Sequence, residues 1–384
     1  MIMDSQGRVG PLLRELVAAG SLPPSLIFEG PEGCGKELTA VRLAAMLECT
    51  RNAVGGAGPD IALFDEAPAP ASAAAAKTGA GSGGGACRCE ACARVGRLEY
   101  PDFHPIYPIP HSELEKGPAA IIESRREDFF NHGEFGSRAR SIGIDLVRGV
   151  IETLSKHPFE GKRSVVVLFE AHLATVEAQN ALLKLLEEPP PSAAIILVTE
   201  FPDRLLPTIL SRCTEIRFDP LSADAIAGFL GEFYAVEREE ARRIAALAEG
   251  SLRRGIKLID EQFRALWKDA CGAAGLVIEG KGKELLGESA ALAQNYTREE
   301  IEELLEEMAI IFGLFIRNRE DRLGEAEKRG LEETLGPKRL VAASARDLPG
   351  DIRKILSSIE SLHRNADVEL TLSQVLLDLA GKWY

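Results

Sequence analysis

Three short apolar runs stand out along the chain: Leu26-Ile27-Phe28, Val165-Val166-Val167-Leu168-Phe169, and residues 194–199. The β-branched second run suits a strand buried on both faces of a parallel sheet. Between them the hydrophobic period changes to that of helices. Leu38, Val41, Leu43, Ala44 and Leu47 mark the apolar side of one. Ile144, Val147, Val150, Ile151 and Leu154 mark another, with Asp145 in its first turn. A third, residues 178–188 (AQNALLKLLEE), is stopped by Pro189-Pro190-Pro191. Strands alternating with helices predict a doubly wound α/β domain.

After Phe218 no further strand is expected. Residues 221–260 read as short helices broken near Gly250-Ser251, and from Glu261 onward the chain is helical with long polar faces. Thr297-Arg298-Glu299-Glu300 is a capping box. It starts a helix whose Ile301, Leu304, Leu305, Met308, Ile311, Phe312 and Phe315 form one apolar stripe. Ile352, Ile355, Leu356, Ile359 and Leu362 form a second. Both stripes are explained by the core of a helical bundle; a surface for neighbouring subunits is the further alternative.

Two segments break the pattern. Residues 71–85 contain only Ala, Gly, Ser, Lys and Thr, with nothing large to bury, and the stretch 51–86 is expected to be a disordered insertion. Residues 109–140, rich in charge and carrying Phe129-Phe130, read as a loop insertion. Around the first insertion stand Cys49 on one side and Cys87, Cys89 and Cys92 on the other. Four thiols so clustered are able to close a tetrahedral Zn²⁺ site, although C-x-C-x-x-C is more crowded than paired C-x-x-C; incidental thiols are the alternative.

With 384 residues and 45% hydrophobic content, two or three globular domains are expected. A formal charge of −14 argues against a surface built wholly to grip nucleic acid, and five Tyr and two Trp leave no aromatic-and-basic strip. No apolar run approaches the roughly 20 residues of a membrane span, and residues 1–12 do not resemble a signal peptide. The expectation is a soluble cytoplasmic protein with no membrane partner, whose seven cysteines are thiols or metal ligands.

The stretch Gly30-Pro31-Glu32-Gly33-Cys34-Gly35-Lys36-Glu37 follows the phosphate-binding pattern G-x-x-x-x-G-K-[ST] except at its last position. Glycines let backbone N–H groups curl around phosphates, the lysine reaches the terminal phosphates, and the final hydroxyl ligates Mg²⁺. Glu37 replaces that hydroxyl with a carboxylate, which directs negative charge at phosphate oxygens. The candidate nucleotide-binding set is Gly30, Gly33, Gly35, Lys36, Glu37 and, at a later strand end, Thr199.

From Val165 to Cys213 the motifs become specific: Phe169-Glu170-Ala171-His172, then the helix running into Glu187-Glu188-Pro189-Pro190, then Leu197-Val198-Thr199-Glu200, Arg204-Leu205-Leu206-Pro207-Thr208-Ile209 and Ser211-Arg212-Cys213. In this order they resemble the clamp-loader subunits of the AAA+ ATPase superfamily, and most closely the delta-prime family of bacterial DNA polymerase III. The likeness runs from about Ser21 to Phe218 and weakly beyond. It implies an AAA+ P-loop domain with a zinc module over 1–219 (the module around 49–92), a small helical lid over 220–261 and a helical collar over 262–384.

The resemblance also implies roles. Active members carry an Asp-Glu pair where this chain has Phe169 and Glu170, the Asp organising Mg²⁺ and the Glu polarising water. With Glu37 and Phe169 both changed, the chain's own ATPase is expected to be inactive, Glu170 being a weak catalytic candidate. Thr199 matches a sensor position, and Arg253 or Arg254 the second sensor. Arg212 matches the arginine finger that stabilises phosphoryl transfer in trans, and Cys49, Cys87, Cys89 and Cys92 match the zinc module. The implied partners are gamma/tau and delta subunits in a hetero-pentamer, with the sliding clamp and primed DNA met through the assembly. ATP and Mg²⁺ would be bound by the partner subunits, and no polymerase chemistry resides in this chain. The alternatives are a catalytically active gamma/tau-type ATPase and a zinc-containing DNA-binding regulator on an AAA+ scaffold.

Overall fold

A computed structural model describes residues 2–50, 87, 89–110, 117–127, 129, 140–320, 328, 336–343 and 346–381. The insertion expected over 51–86 lies outside these residues, as does Phe130. The chain forms two units, Met1–Arg242 with Glu249–Arg254, and Arg243–Ala248 with Gly255–Tyr384.

The strands of the first unit are β1 (Ser25–Glu29), β2 (Phe103–Ile106), β3 (Ile109–Pro110), β4 (Arg140–Ser141), β5 (Ser164–Leu168), β6 (Ala193–Thr199) and β7 (Thr214–Arg217). Five of them form a parallel sheet in the order β2-β5-β6-β1-β7, while β3 and β4 pair antiparallel. Every residue of β1, β5 and β6 is buried; their apolar middles suit strands covered on both faces, and the polar Ser25, Glu29, Ser164 and Thr199 stand only at strand ends. β1 lies between β6 and β7, with Phe28 level with Val198 on one side and Ile216 on the other. The carboxyl end of β1 therefore opens between two strands that come much later in the sequence, the place where open α/β sheets hold ligands.

Helices α1 (Ile2–Ser5) and α2 (Val9–Ala18) precede β1, and α3 (Lys36–Glu48) follows the glycine loop. Next come α4 (Glu90–Gly96), α5 (Gly117–Glu127), α6 (Ile144–Leu154), α7 (Val176–Glu187), α8 (Pro207–Leu210) and α9 (Ala223–Phe233). Val147 and Leu154 of α6 and Leu182, Leu185 and Leu186 of α7 pack with Val166, Leu168, Ile195 and Leu197 into one core cluster. Each such side chain contributes about 1.5–3 kcal/mol on burial. The third sequence-predicted helix starts two residues earlier than its apolar period suggests, because the Thr175 hydroxyl accepts the Ala178 N–H at 3.2 Å and caps it. The segment 109–140 is not simply a loop: it holds β3, α5 and the start of β4. Gly117, at φ +69°, and Pro118 open α5, and Ala119 and Ala120 favour it, signals outweighed in the sequence by the surrounding charge.

The second unit is helical. Its main helices are Glu261–Glu279, Gly282–Asn295, Arg298–Arg319, Leu348–His363 and Val368–Ala380. The Thr297–Glu300 capping box forms in both directions, and all seven residues of the predicted stripe from Ile301 to Phe315 are buried. In the later stripe Ile355, Ile359 and Leu362 are buried, but Leu356 is 50% exposed, because only the i, i+4, i+7 set faces the core. No helix among the described residues is long and apolar enough to cross a membrane.

Candidate functional site

The glycine loop leaves β1 with Gly30 at φ +152° against the Phe218 carbonyl and turns at Gly33, φ +72°; a side chain at either position would overlap its neighbour. Gly35 N-caps α3 and puts Lys36 and Glu37 in its first turn. Lys36 is 4% exposed, and its Nζ donates to the carbonyls of Gly30 (2.8 Å) and Pro31 (2.6 Å), so the ammonium is bound by its own loop. Gln6 fastens the loop from outside. Its Nε2 donates to the Cys34 carbonyl (2.6 Å) and the Asp219 carbonyl (2.8 Å), and its Oε1 accepts the Asp219 N–H. The pocket over the loop is lined by Glu32, Lys36, Glu37, Glu200, Leu252 and Arg253 among others.

At the end of β5, Phe169 is fully buried, stacked face to face on Tyr107 (4.4 Å between centroids, 4° between planes) and edge-on to Phe129. The Arg125 guanidinium lies over the Tyr107 ring, 4.9 Å from its centre. An aromatic stack thus fills the position that follows β5. Glu170 follows at φ +50°, its two oxygens gripped by the Arg140 fork at 3.0 and 2.6 Å. Burial pushes its carboxyl up and Arg140 opposes that push. The Thr199 hydroxyl accepts the Phe201 N–H (3.1 Å) and lies 3.2 Å from His172 Nδ1. Burial, with Arg204, Arg140 and Lys36 adding to it, holds His172 down at about 4, a neutral imidazole.

Cys49 ends α3, Cys89 N-caps α4 and Cys92 sits in the first turn of α4. With Cys87 their four sulfurs lie within 4.8 Å of one another, and Cys49 Sγ is 3.6 Å from Cys87 Sγ and 4.0 Å from Cys89 Sγ. Four thiolates around a tetrahedral Zn²⁺ sit about 3.8 Å apart, given Zn–S of about 2.3 Å. The donors therefore fit such an ion. The crowded spacing is absorbed because Cys89 takes the extended cap conformation and Cys92 returns on the helix. All four are buried. At Cys89 burial pushes the thiol up, but N–H groups of Cys92 and Thr50 outweigh it and bring it down to about 6.

Arg212, just past α8, has a side chain one-third exposed. Its Nη2 bonds Glu187 Oε1 at 2.7 Å, and its Nη1 donates to the Thr208 carbonyl at 2.8 Å. The guanidinium is braced at the surface by the end of α7.

Residues 71–222 match the family model described as DNA polymerase III, delta subunit. Over 226 residues the chain is 30% identical to DNA polymerase III subunit delta' of Bacillus subtilis, covering 58% of this chain and 50% of that protein. The delta' subunit of Pseudomonas aeruginosa gives 30% over 226 residues, 59% of this chain and 52% of that one. DNA polymerase III subunit gamma/tau of Mycoplasma genitalium is 36% identical over 128 residues, 32% of this chain and 21% of that protein. Over these segments the chain is similar to DNA polymerase III clamp-loader subunits. It spans about half the length of the delta' relatives it matches and a smaller share of the gamma/tau protein.

The structure gathers Gly33, Gly35, Lys36 and Glu37 at one pocket, leaves Gly30 at the end of β1 outside its lining, and sets Glu170 and Thr199 at neighbouring strand ends. Of the two arginines left open by the sequence, Arg253 lines the pocket and Arg254 does not. Sequence reasoning missed Gln6, Tyr107, Arg140, Glu32 and Glu200. Glu32 in the glycine loop, Arg140 at the end of the 109–140 insertion and Glu200 beside Thr199 stood in segments already singled out, but not as site residues. Each cation nearest the loop has a partner in the chain: Lys36 has loop carbonyls, Arg140 has Glu170, and Arg253 has Glu32.

Burial, joined by the charge of Glu32, raises the Glu200 carboxyl to about 7. Its folded value lies above its unfolded one, so the protonated form stabilises the fold fully below about pH 4.5, and that contribution is lost as pH rises through about 7. Glu200→Gln is accordingly expected to raise the melting temperature at pH 8 and to change it little at pH 4.5. Equal shifts at both pH values would show that the carboxyl is not perturbed.

Proposed function

We propose that this chain is the delta-prime, or stator, subunit of a bacterial DNA polymerase III clamp loader. In this reading it supports ATP-driven loading of the sliding clamp onto primed DNA, in the cytoplasm, as one subunit of a hetero-pentamer with gamma/tau and delta. It presents Arg212 to ATP and Mg²⁺ bound by a neighbouring subunit, where a guanidinium offsets charge on the transferred phosphoryl group. Its own glycine loop is scaffold. The observation that carries this reading is Phe169, whose burial between Tyr107 and Phe129 leaves no carboxylate where metal would be held. Glu37 in place of the loop hydroxyl, and Glu170 held in the Arg140 fork, add to it.

Cys49, Cys87, Cys89 and Cys92 are proposed to hold a structural Zn²⁺. Four thiolates leave no open position, so the ion would supply a fold constraint and no Lewis-acid chemistry. A second reading, a gamma/tau-type motor, is favoured by the 36% identity to the Mycoplasma genitalium protein. Turnover separates the two. The isolated chain with Mg²⁺ and ATP is expected to release no phosphate above buffer, and turnover is expected to appear once gamma/tau and delta subunits are added. Steady hydrolysis by the isolated chain at a motor subunit's rate would replace the first reading with the second.

A further inference from the structure

Glu32 occupies a position of the glycine loop where the phosphate-binding pattern leaves the residue type open. Its carboxylate pairs with Arg253. Around that pair the chain makes further contacts that need no ligand. The Leu252 N–H donates to the Gly33 carbonyl at 2.9 Å, and the Ser251 hydroxyl lies where a side chain on residue 33 would project. That hydroxyl also accepts the Arg254 N–H at 3.2 Å. The approach is shaped by Glu249 and Gly250, at φ +54° and +78°, with the Gly250 carbonyl held by the Leu221 N–H at 2.9 Å.

An arginine fork binds a carboxylate and a phosphate by the same geometry. A carboxylate carried on the loop itself competes at an effective concentration on the order of mM, without the entropy cost of capturing a free ligand. With Lys36 bound to loop carbonyls and Arg253 Nη1 on Glu32, each of the two cations lining the pocket is held by a group of the chain itself. We infer that Glu32 is a tethered substitute for an anionic ligand: it occupies Arg253 and holds residues 251–254 on the glycine loop. The inference deepens the reading of the loop as scaffold and rests on it. It names Glu32 as the residue that decides what the pocket accepts.

The test is amide hydrogen exchange on the full chain at Leu252 and Arg254, without nucleotide. Glu32→Gln and Arg253→Gln are each expected to speed exchange about two- to fivefold, the range for a partly exposed ion pair. The charge swap Glu32→Arg with Arg253→Glu is expected to restore it. Added Mg²⁺ and ATP should slow exchange in Glu32→Gln and leave the unmodified chain unchanged. Unaltered exchange in both single variants, or slowing by ATP in the unmodified chain, overturns the inference; so does a Glu32→Gln chain that ignores ATP. Unfolding midpoints in urea confirm that each variant is folded. Hydrolysis by the isolated chain would remove the scaffold reading while leaving this exchange pattern to stand or fall alone.

Discussion

Replacing Arg212 by alanine is expected to lower ATP turnover at the neighbouring subunit's site by about 10³- to 10⁵-fold, the range an arginine finger supplies. The chain itself should remain folded. Arg212 is one-third exposed and its partner Glu187 half exposed, and removing a surface pair of this kind costs about 0–1 kcal/mol. The measurement is single-turnover hydrolysis by a reconstituted loader with primed DNA and clamp present. Under those conditions the served site is read apart from the others. Arg212→Lys is expected to recover little, since an ammonium lacks the planar fork that meets two phosphate oxygens together. Turnover unchanged by Arg212→Ala would end the claim that this residue acts in trans, whatever the rest of the chain does.

The second large effect concerns the cysteines. Purified without chelator, the chain is expected to carry about one zinc per molecule, and Cys49→Ser or Cys92→Ser to lose it. Four-thiolate sites contribute about 10–16 kcal/mol of apparent binding free energy, so losing the ion should unfold the corner where α3 meets α4. Cys49 closes α3 and Cys92 sits in the first turn of α4, its Sγ 3.5 Å from the Ala45 carbonyl of α3, so the cluster ties this corner from both helices. The expected signs are a lower melting temperature, faster exchange through α4, and a strong zinc-dependence of both. Zinc below about half an equivalent in the unmodified chain, with α4 still protected, would mean that packed thiols alone hold the corner.

These two predictions draw on features that were legible to different degrees. Arg212 and the cysteines were readable because their neighbours in sequence carry the signal: Ser211 and Cys213 around the one, three thiols within six residues for the other. The strands β1, β5 and β6 were readable because burial on both faces makes their middles continuously apolar. The stripe from Ile301 to Phe315 was readable because a helix repeats its buried side every three or four residues. In each case the information lies within a few positions of the residue concerned.

The state of the phosphate pocket is different. Sequence placed Gly30, Gly33, Gly35 and Lys36 in a loop, and marked Glu37 and Phe169 as departures from the pattern. Only the folded chain turned Lys36 back onto Gly30 and Pro31, laid Tyr107 on Phe169, gave Glu170 to Arg140 and paired Glu32 with Arg253. Those last two pairs join residues 30 and 221 positions apart. A charged side chain with a distant partner looks, in sequence, the same as one facing water. Local periodicity records which side of an element is buried. Which charges meet is decided by the sheet order and by the turns that bring strand ends together.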